Sequence, residues 1–177
     1  ADTGADAVIL GAGGAGTALS WCLVERADRP ASIVVTDTSD ERLAHLRDVH
    51  RRHGTPESLI RYVNVSEPGA GNAVIADAAP ASLIVNATGL GKDRPGSPLA
   101  DDAVLPLGAY VWEFNYRGTL EFLAQAQSQA AERELTVVDG WRYFIHGWTQ
   151  VISEVFSVEM PPARVEELAT IAEFARA

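Results

Sequence analysis

Three glycines and one carboxylate near the start of the chain have the types and spacing needed to hold a phosphate-containing nucleotide. Gly11, Gly13 and Gly16 are spaced G-x-G-x-x-G, directly after a short apolar run and at the beginning of a segment with helical composition. Asp37 ends the next apolar run, twenty-one residues after Gly16. A strand before the glycines, a helix after them and an acid at this distance are typical of a dinucleotide-binding turn. A glycine-rich turn that binds nothing is the alternative.

Each glycine of this turn has its own physical role. Gly11 allows the tight turn that leaves the strand, Gly13 lets a pyrophosphate approach the backbone, and Gly16 allows close packing of the helix on the sheet. The first N–H groups of the helix have no partner within it and carry the positive end of its dipole, so they attract an anion. The turn residues expected to hold the pyrophosphate are Gly11, Ala12, Gly13, Gly14, Ala15 and Gly16.

Asp37 lies where an acid at the end of the second strand accepts hydrogen bonds from the adenosine ribose. A carboxylate there favours the 2′-hydroxyl of NAD and repels the 2′-phosphate of NADP, so we expect NAD rather than NADP. Thr38 follows directly and belongs to the same expected site. Arg42, about one helical turn later, keeps NADP open as an alternative. The competing interpretation is that Asp37, or Ser39 beside it, only caps the next helix.

Composition indicates one soluble α/β domain over residues 1–177 and excludes several classes of function. The chain is 47% hydrophobic and has a net charge of −10, which argues against a nucleic-acid partner. It shows neither a signal-peptide pattern nor an apolar run of membrane length, so a cytoplasmic protein without membrane contact is expected. The single Cys22 provides neither a disulfide nor a cysteine-based zinc site, and we expect it to be a small buried residue. No metal is expected, and His45, His50 and His53 are expected on the solvated face of a helix.

Apolar runs alternate with helical patterns along the whole chain. The predicted strands are 7–10, 32–36, 61–65, 82–87, 109–114 and 135–138, and the predicted helices are 15–25, 40–53, 70–79, 119–133, 143–158 and 164–177. This alternation predicts a doubly wound, parallel, six-stranded sheet in three α/β/α layers, a Rossmann-type fold. Ligands of such sheets bind beyond the carboxyl ends of the strands, so one dinucleotide-sized crevice is expected there. The segment 92–98 is a loop long enough to contact the ligand.

Four motifs in this order resemble the NAD(P)-binding domain of the shikimate/quinate dehydrogenase family, over nearly the whole chain. They are GAGGAG at 11–16, Asn86-Ala87-Thr88, Tyr116 after the fifth strand, and Asp139-Gly140 before a long helix. The resemblance implies that Asn86, Ala87, Thr88 and Gly140 lie near the nicotinamide and Tyr116 near a substrate. It implies hydride transfer between NAD(P) and a secondary alcohol of a cyclic hydroxy acid. An acid at the position of Asp37 resembles the NAD-using, quinate-type members.

The chain also departs from that family. Members carry an N-terminal lobe that binds the hydroxy acid and supplies a Lys and an Asp, whereas this chain begins almost at its first strand. We therefore expect the lobe to come from the same or another chain, with the terminal helix, about 163–177, packed towards it through an open face containing Val165 and Ala169. A homodimer is a further expectation. Gly147 stands where the family usually has a substrate-contacting Gln, and Tyr116-Arg117-Gly118 replaces a Tyr-x-Pro turn.

Hydride transfer from an alcohol also needs a base for the hydroxyl proton. The candidates on this domain are Lys92, Tyr116 and His146. The competing interpretations are a solvated loop position for Lys92, packing beside the nicotinamide for Tyr116, and a structural place in an aromatic face for His146. Because the proton-relay lobe is absent, the isolated chain is expected to be inactive alone. The alternative function is a non-catalytic module that senses NAD(P).

Overall fold

Six parallel strands form a single sheet whose strand order is β3-β2-β1-β4-β5-β6 in the computed structural model, which describes residues 4–174. The strands are β1 (Asp6–Leu10), β2 (Ser32–Asp37), β3 (Ile60–Asn64), β4 (Leu83–Asn86), β5 (Tyr110–Glu113) and β6 (Thr136–Val138). The helices are α1 (Gly14–Glu25), α2 (Asp40–Arg52), α3 (Ala70–Ala76), α4 (Glu121–Gln129), α5 (Trp141–Phe156) and α6 (Pro162–Glu173). This is a Rossmann-type α/β fold, as the sequence predicts.

The two faces of the sheet carry separate apolar cores because successive side chains of a strand point to opposite faces. On β1, Ala7 and Ile9 belong to the core that α1 and α2 cover, while Val8 and Leu10 belong to the core covered by α3 and α4. The central strands are buried on both sides, which is why they are continuously apolar. The strand order reverses between β1 and β4, and that switch point is where such sheets bind ligands.

The connection from β4 to β5, residues 87–109, contains no regular helix and is held by one face of α4 and the residues after it. Gln125, Gln129 and Arg133 recur every fourth residue, so they lie in a row along the helix direction. Gln129 accepts a hydrogen bond from the Leu105 N–H at 3.0 Å, and the Arg133 Nε donates to the Leu105 carbonyl at 2.9 Å. These side-chain hydrogen bonds therefore help to hold a connection that has no helix of its own.

The last two helices pack on each other. Trp141 and Ile145 of α5 bury Val165 and Ala169 of α6, so the expectation that this α6 face is open is wrong. The open apolar surface instead belongs to the part of α5 from Trp148 onwards, and we call it the α5 face. It consists of Trp148, Val151, Val155 and Phe156, which are 49–69% exposed. The predicted end of the terminal helix, residues 175–177, lies outside the described residues.

Two single-residue expectations are also wrong. Cys22 is exposed on α1, because it lies on the side of the helix that faces away from the sheet. His50 is buried, with its ring between Ser20 of α1 and Tyr62 of β3. The Ser20 hydroxyl donates to the Thr17 carbonyl, so it accepts from His50 Nε2 at 3.2 Å, and His50 Nδ1 accepts from the Tyr62 hydroxyl at 2.7 Å. Burial lowers the pKa of His50, which favours this neutral form.

Across residues 4–174, no helix is both long and apolar enough to cross a bilayer. The same residues contain no group of three or more His, Cys, Asp or Glu side chains arranged to hold a metal ion.

Candidate functional site

The turn between β1 and α1 is tight because the start of the helix packs directly against the carboxyl end of the strand. Gly11 has a φ of +111°, which favours glycine, and a Cβ there would lie 2.9 Å from the Ala87 carbonyl oxygen. A Cβ at Gly16 would overlap the Gly11 carbonyl oxygen. Both positions therefore require glycine for packing reasons that hold whether or not a ligand is present.

Gly13 differs from these two glycines because it faces open space. It precedes α1 with an extended backbone, and a Cβ built on it would have no heavy atom within 4 Å. The N–H groups that follow it begin a twelve-residue helix, where the first N–H groups lack partners within the helix. The turn thus presents a concave backbone and an uncovered helix start at the same point, which suits an anion.

Asp37 holds the glycine turn in place from the end of β2. Its Oδ2 accepts the Ala12 N–H at 2.9 Å, and its Oδ1 accepts the Ser39 N–H at 2.9 Å. Arg42 also pairs directly with this carboxylate, with Nη2 at 2.6 Å from Oδ1. Its spacing in the sequence places Arg42 about one helical turn from Asp37. Because Arg42 lies in the first turn of α2, its side chain reaches the carboxyl end of β2.

The charge of Asp37 is stable although the residue is only 8% exposed. Burial alone raises the pKa of its carboxyl, but the hydrogen bonds from Arg42 and from the Ala12 and Ser39 N–H groups outweigh this effect. The net result is a pKa below the ordinary value. The carboxylate is therefore ionised at neutral pH and shared among protein donors.

A crevice of about 560 Å³ lies along the carboxyl ends of the strands. The structure brings six of the twelve predicted cofactor residues together in its wall, which are Gly11, Gly13, Asp37, Thr38, Ala87 and Thr88. The predicted loop 92–98 contributes Arg94, Ser97 and Pro98. Sequence analysis missed the opposite wall, which is formed by residues 65–69 after β3. The signal for it was available, because these residues also follow the carboxyl end of a parallel strand.

Asn86 is fully buried and supports the crevice rather than lining it. Its Oδ1 accepts hydrogen bonds from the Thr88 N–H at 3.0 Å and the Thr88 hydroxyl at 2.7 Å. Its Nδ2 donates to Glu113 Oε2 at 2.8 Å. Glu113 is a site residue that sequence analysis missed, although a charged residue at the end of an apolar strand marks it.

Two further predicted residues, Gly140 and Tyr116, lie around the end of β5. Gly140 directly precedes α5, and a Cβ there would overlap the carbonyl oxygens of Phe114 and Asn115. Tyr116 stacks on Phe144 with ring centroids 3.9 Å apart. Gly140 and Tyr116 therefore fix α5 against the sheet.

The three acid–base candidates are not among the residues that line the crevice. Lys92 is 27% exposed and pairs with Asp93 at 3.3 Å, so its side chain is not freely solvated. Tyr116 is held in its stack with Phe144, and His146 is exposed on α5. None of the three candidates therefore lies in the wall of the crevice, where the carboxylic side chains are those of Asp37 and Glu67.

No family model matches the sequence, and no curated protein matches it either. Solved structures do match. Shikimate 5-dehydrogenase from Listeria monocytogenes, solved with shikimate and NAD, superposes with a TM-score of 0.65 at 19% identity, covering 93% of this chain and 55% of that one. Shikimate 5-dehydrogenase from Thermus thermophilus, solved with shikimate, gives 0.61 at 23% identity, covering 94% and 53%.

A 5-ketofructose reductase of Gluconobacter sp. strain CHM43, in ligand-free form, gives a TM-score of 0.58 at 16% identity, covering 94% of this chain and 56% of that one. The chain thus spans about half the length of the solved proteins it matches. At these low identities the likeness shows the fold alone, a Rossmann-type α/β fold.

Replacing Gly16 with Ala tests the contact between the helix and the turn. The added methyl would overlap the Gly11 carbonyl oxygen, so Gly16→Ala should destabilise the fold by about 1–3 kcal/mol, the usual result of overpacking. Gly147 is the matched control, since it is exposed inside α5 with nothing within 4 Å of an added Cβ. Gly147→Ala should stabilise the fold by up to about 1 kcal/mol. Thermal unfolding of both variants measures this, and equal effects would show that the helix does not press on the turn.

Proposed function

We propose that this chain is the cofactor-binding domain of a shikimate/quinate 5-dehydrogenase-like oxidoreductase, which transfers hydride between NAD(P) and a secondary alcohol of a cyclic hydroxy acid. The observation that supports it best is the turn at the start of α1. Gly11 and Gly16 are needed for packing, whereas Gly13 leaves open space above unpartnered helix N–H groups. A packing role alone does not explain that opening, but the diphosphate of a dinucleotide does.

The residues around the crevice fit the rest of a dinucleotide. The diphosphate would be held by the backbone at Gly13 and Gly14, and the adenosine ribose by Asp37 and Thr38. The far end of the crevice would receive the nicotinamide beside Thr88. When bound, the nicotinamide supplies the hydride acceptor or donor. The chain itself binds and orients it, and Thr88 forms one wall of that position.

The proposed cofactor is NAD rather than NADP. A 2′-phosphate would meet the ionised Asp37 carboxylate, which repels it. Arg42 opposes this discrimination, because its guanidinium already neutralises part of that charge and is itself half-exposed in the crevice wall. The preference for NAD over NADP therefore depends on the balance between the charges of Asp37 and Arg42, whose Oδ1 and Nη2 atoms are 2.6 Å apart.

The substrate and its lobe are proposals of the same kind. Two of the matched dehydrogenases were solved with shikimate, and this chain covers 55% and 53% of them. We propose that the remaining part, a substrate lobe in the same or another chain, binds the hydroxy acid and covers the α5 face. It would also supply the proton-transfer groups, since Lys92, Tyr116 and His146 stand outside the crevice. Among these three, Lys92 lies on the loop nearest to Thr88 in the sequence.

A second function is favoured by that same position of the acid–base candidates. A domain that binds NAD(P) while Lys92, Tyr116 and His146 lie outside its crevice suits a nucleotide-sensing or regulatory module. The two functions share dinucleotide binding and differ in turnover. Formation of NADH from NAD and quinate by the full-length protein would decide for the enzyme, and tight NAD binding with no NADH formation would decide for the sensor.

Filling the open space at Gly13 should prevent dinucleotide binding without unfolding the protein. Since a Cβ there meets nothing within 4 Å, Gly13→Val should cost at most about 1 kcal/mol of stability, as for a poor helix cap. The side chain would occupy the diphosphate position and raise the Kd for NAD at least about tenfold, which corresponds to about 1.4 kcal/mol. Titration calorimetry measures it, with Ala18→Val, on the exposed side of α1, as the control. Unchanged affinity in Gly13→Val would place the diphosphate elsewhere.

The balance at the ribose site gives a second expectation. The ratio of the Kd for NADP to the Kd for NAD should exceed one in the wild type, rise in Arg42→Ala, and fall in Asp37→Asn. The signs follow from charge, because the first variant removes a cation from the ribose site and the second removes an anion. Competition calorimetry with both nucleotides measures the ratios. A wild-type preference for NADP, or a ratio that falls in Arg42→Ala, would contradict the assignment.

The α5 face should make the isolated chain associate. Exposed apolar surface of this kind is typical of a contact site, so light scattering should show species above 18.9 kDa at concentrations of about 100 μM. Trp148→Glu with Phe156→Glu should shift the population to monomer, whereas Val104→Glu, at an exposed apolar residue outside this face, should not. A wild-type chain that stays monomeric and does not bind a hydrophobic dye would argue against an uncovered lobe contact.

A further inference from the structure

Glu113 and Asn86 join two neighbouring strands beneath the crevice. They are register partners at the ends of β5 and β4, and both are 0% exposed. Asn86 Nδ2 donates to Glu113 Oε2 at 2.8 Å, while Glu113 Oε1 accepts the Asn115 N–H at 2.7 Å. A buried carboxyl is thus held at both oxygens by protein donors.

These hydrogen bonds continue into a closed ring. Asn86 Oδ1 accepts the Thr88 N–H and hydroxyl, and Thr88 Oγ1 accepts the Leu90 N–H at 3.2 Å. The Leu90 carbonyl in turn accepts the Asn115 Nδ2 at 2.9 Å. The ring therefore runs from Glu113 through Asn86, Thr88, Leu90 and Asn115 back to Glu113, and two of its members, Thr88 and Leu90, line the crevice.

The direction of the donors requires an acceptor on both oxygens of Glu113. Asn86 cannot turn its amide around, because its Oδ1 is needed by two donors of Thr88. The Asn115 N–H is fixed by the backbone. Only in the ionised carboxylate are both oxygens free of a proton and able to accept equally. Protonation of Glu113 therefore weakens one of the two hydrogen bonds that it accepts from Asn86 and Asn115.

The environment of Glu113 opposes that charge. Burial raises the pKa of its carboxyl to about 7, although the hydrogen bonds from Asn115 and Asn86 and the positive charge of Lys92 act in the other direction. The groups that face it are Asn86 on β4, Asn115 after β5, and Lys92 on the connection after β4, which also pairs with Asp93. Glu113 thus changes charge near neutral pH.

We propose that the ionised side chain of Glu113 is a positioning group for the crevice, which sets Thr88 and Leu90 in the geometry that binds the dinucleotide. Loss of the charge loosens this wall and weakens binding. The inference rests on the proposed function for its ligand, while the ring itself is a property of the unliganded chain. Glu113 does not line the crevice and is not a catalytic residue.

Stability and binding should respond to pH in opposite directions. The folded pKa lies above the ordinary value of 4.5, so the folded state holds the proton more tightly than the unfolded state. The contribution of Glu113 to stability is therefore fully present below about pH 4.5 and is lost as the pH rises towards 7. Dinucleotide affinity should rise over the upper part of that interval. A general loss of folding would move both quantities together, which separates positioning from a merely structural role.

Calorimetric titration with NAD at about pH 6 and about pH 8 tests the proposal. If only the ionised form binds, the wild-type Kd at the lower pH should be up to about tenfold higher, from the fraction of ionised Glu113. Glu113→Gln should bind NAD weakly at both pH values. Its amide NH₂ group would face one of the two N–H donors from which Glu113 accepts, so that hydrogen bond would be lost. Asp6→Asn is the matched control, since Asp6 accepts the Ala79 N–H at 3.0 Å at the other end of the sheet, and it should keep the wild-type pH profile.

The outcomes distinguish a failure of the positioning role of Glu113 from a failure of the proposed function. A Glu113→Gln variant with the wild-type pH profile overturns the positioning role, and a wild type that does not bind NAD at either pH overturns the proposed function. The ring is tested without any variant by the amide NMR signals of Thr88, Leu90 and Asn115 in the unliganded wild type. They should titrate together with a midpoint near 7, and signals that stay constant between about pH 6 and about pH 8 would overturn the inference.

Discussion

The close approach of α1 to the Gly11 carbonyl is the contact on which the site depends. Since a Cβ at Gly16 would overlap that carbonyl, the helix can reach the strand end only with glycine there, and a single methyl would push its first turn away. The same approach aims the uncovered N–H groups of the helix along the carboxyl edge of the sheet. Asp37 completes the arrangement by accepting the Ala12 N–H at 2.9 Å. Without these contacts, the crevice would lose the wall that is proposed to bind the diphosphate.

Two buried carboxylates support opposite ends of the crevice, and they differ in what surrounds them. Asp37 pairs directly with Arg42 and has a pKa below its ordinary value, whereas burial raises the pKa of Glu113 to about 7. Both accept backbone N–H groups from the segment that they hold. In the proposed complex, the adenosine end is therefore insensitive to pH near neutrality, and the nicotinamide end is sensitive. A direct cation partner accounts for the difference between the two sites.

Residue pattern and spacing were sufficient to predict the three layers, the doubly wound parallel sheet and the glycine turn between β1 and α1. These features follow from local rules, because a buried parallel strand must be apolar and a helix that packs this closely on the strand end requires glycine. The errors arose where tertiary contacts decide. His50 has the spacing of a solvated residue, yet Tyr62 and Ser20 provide partners that allow its burial. Glu113 was missed because its partner Asn86 is remote in sequence and adjacent only in the sheet register.

A crystal structure of the chain with NAD tests the central claim most directly. The account predicts diphosphate oxygens within about 3 Å of the backbone N–H groups of Gly13 and Gly14, with the adenosine ribose beside Asp37 and the nicotinamide towards Thr88. Density for NAD elsewhere, such as the cavity that Arg47 and Tyr62 line, would contradict it. So would a turn at Gly13 covered by side chains of the protein itself.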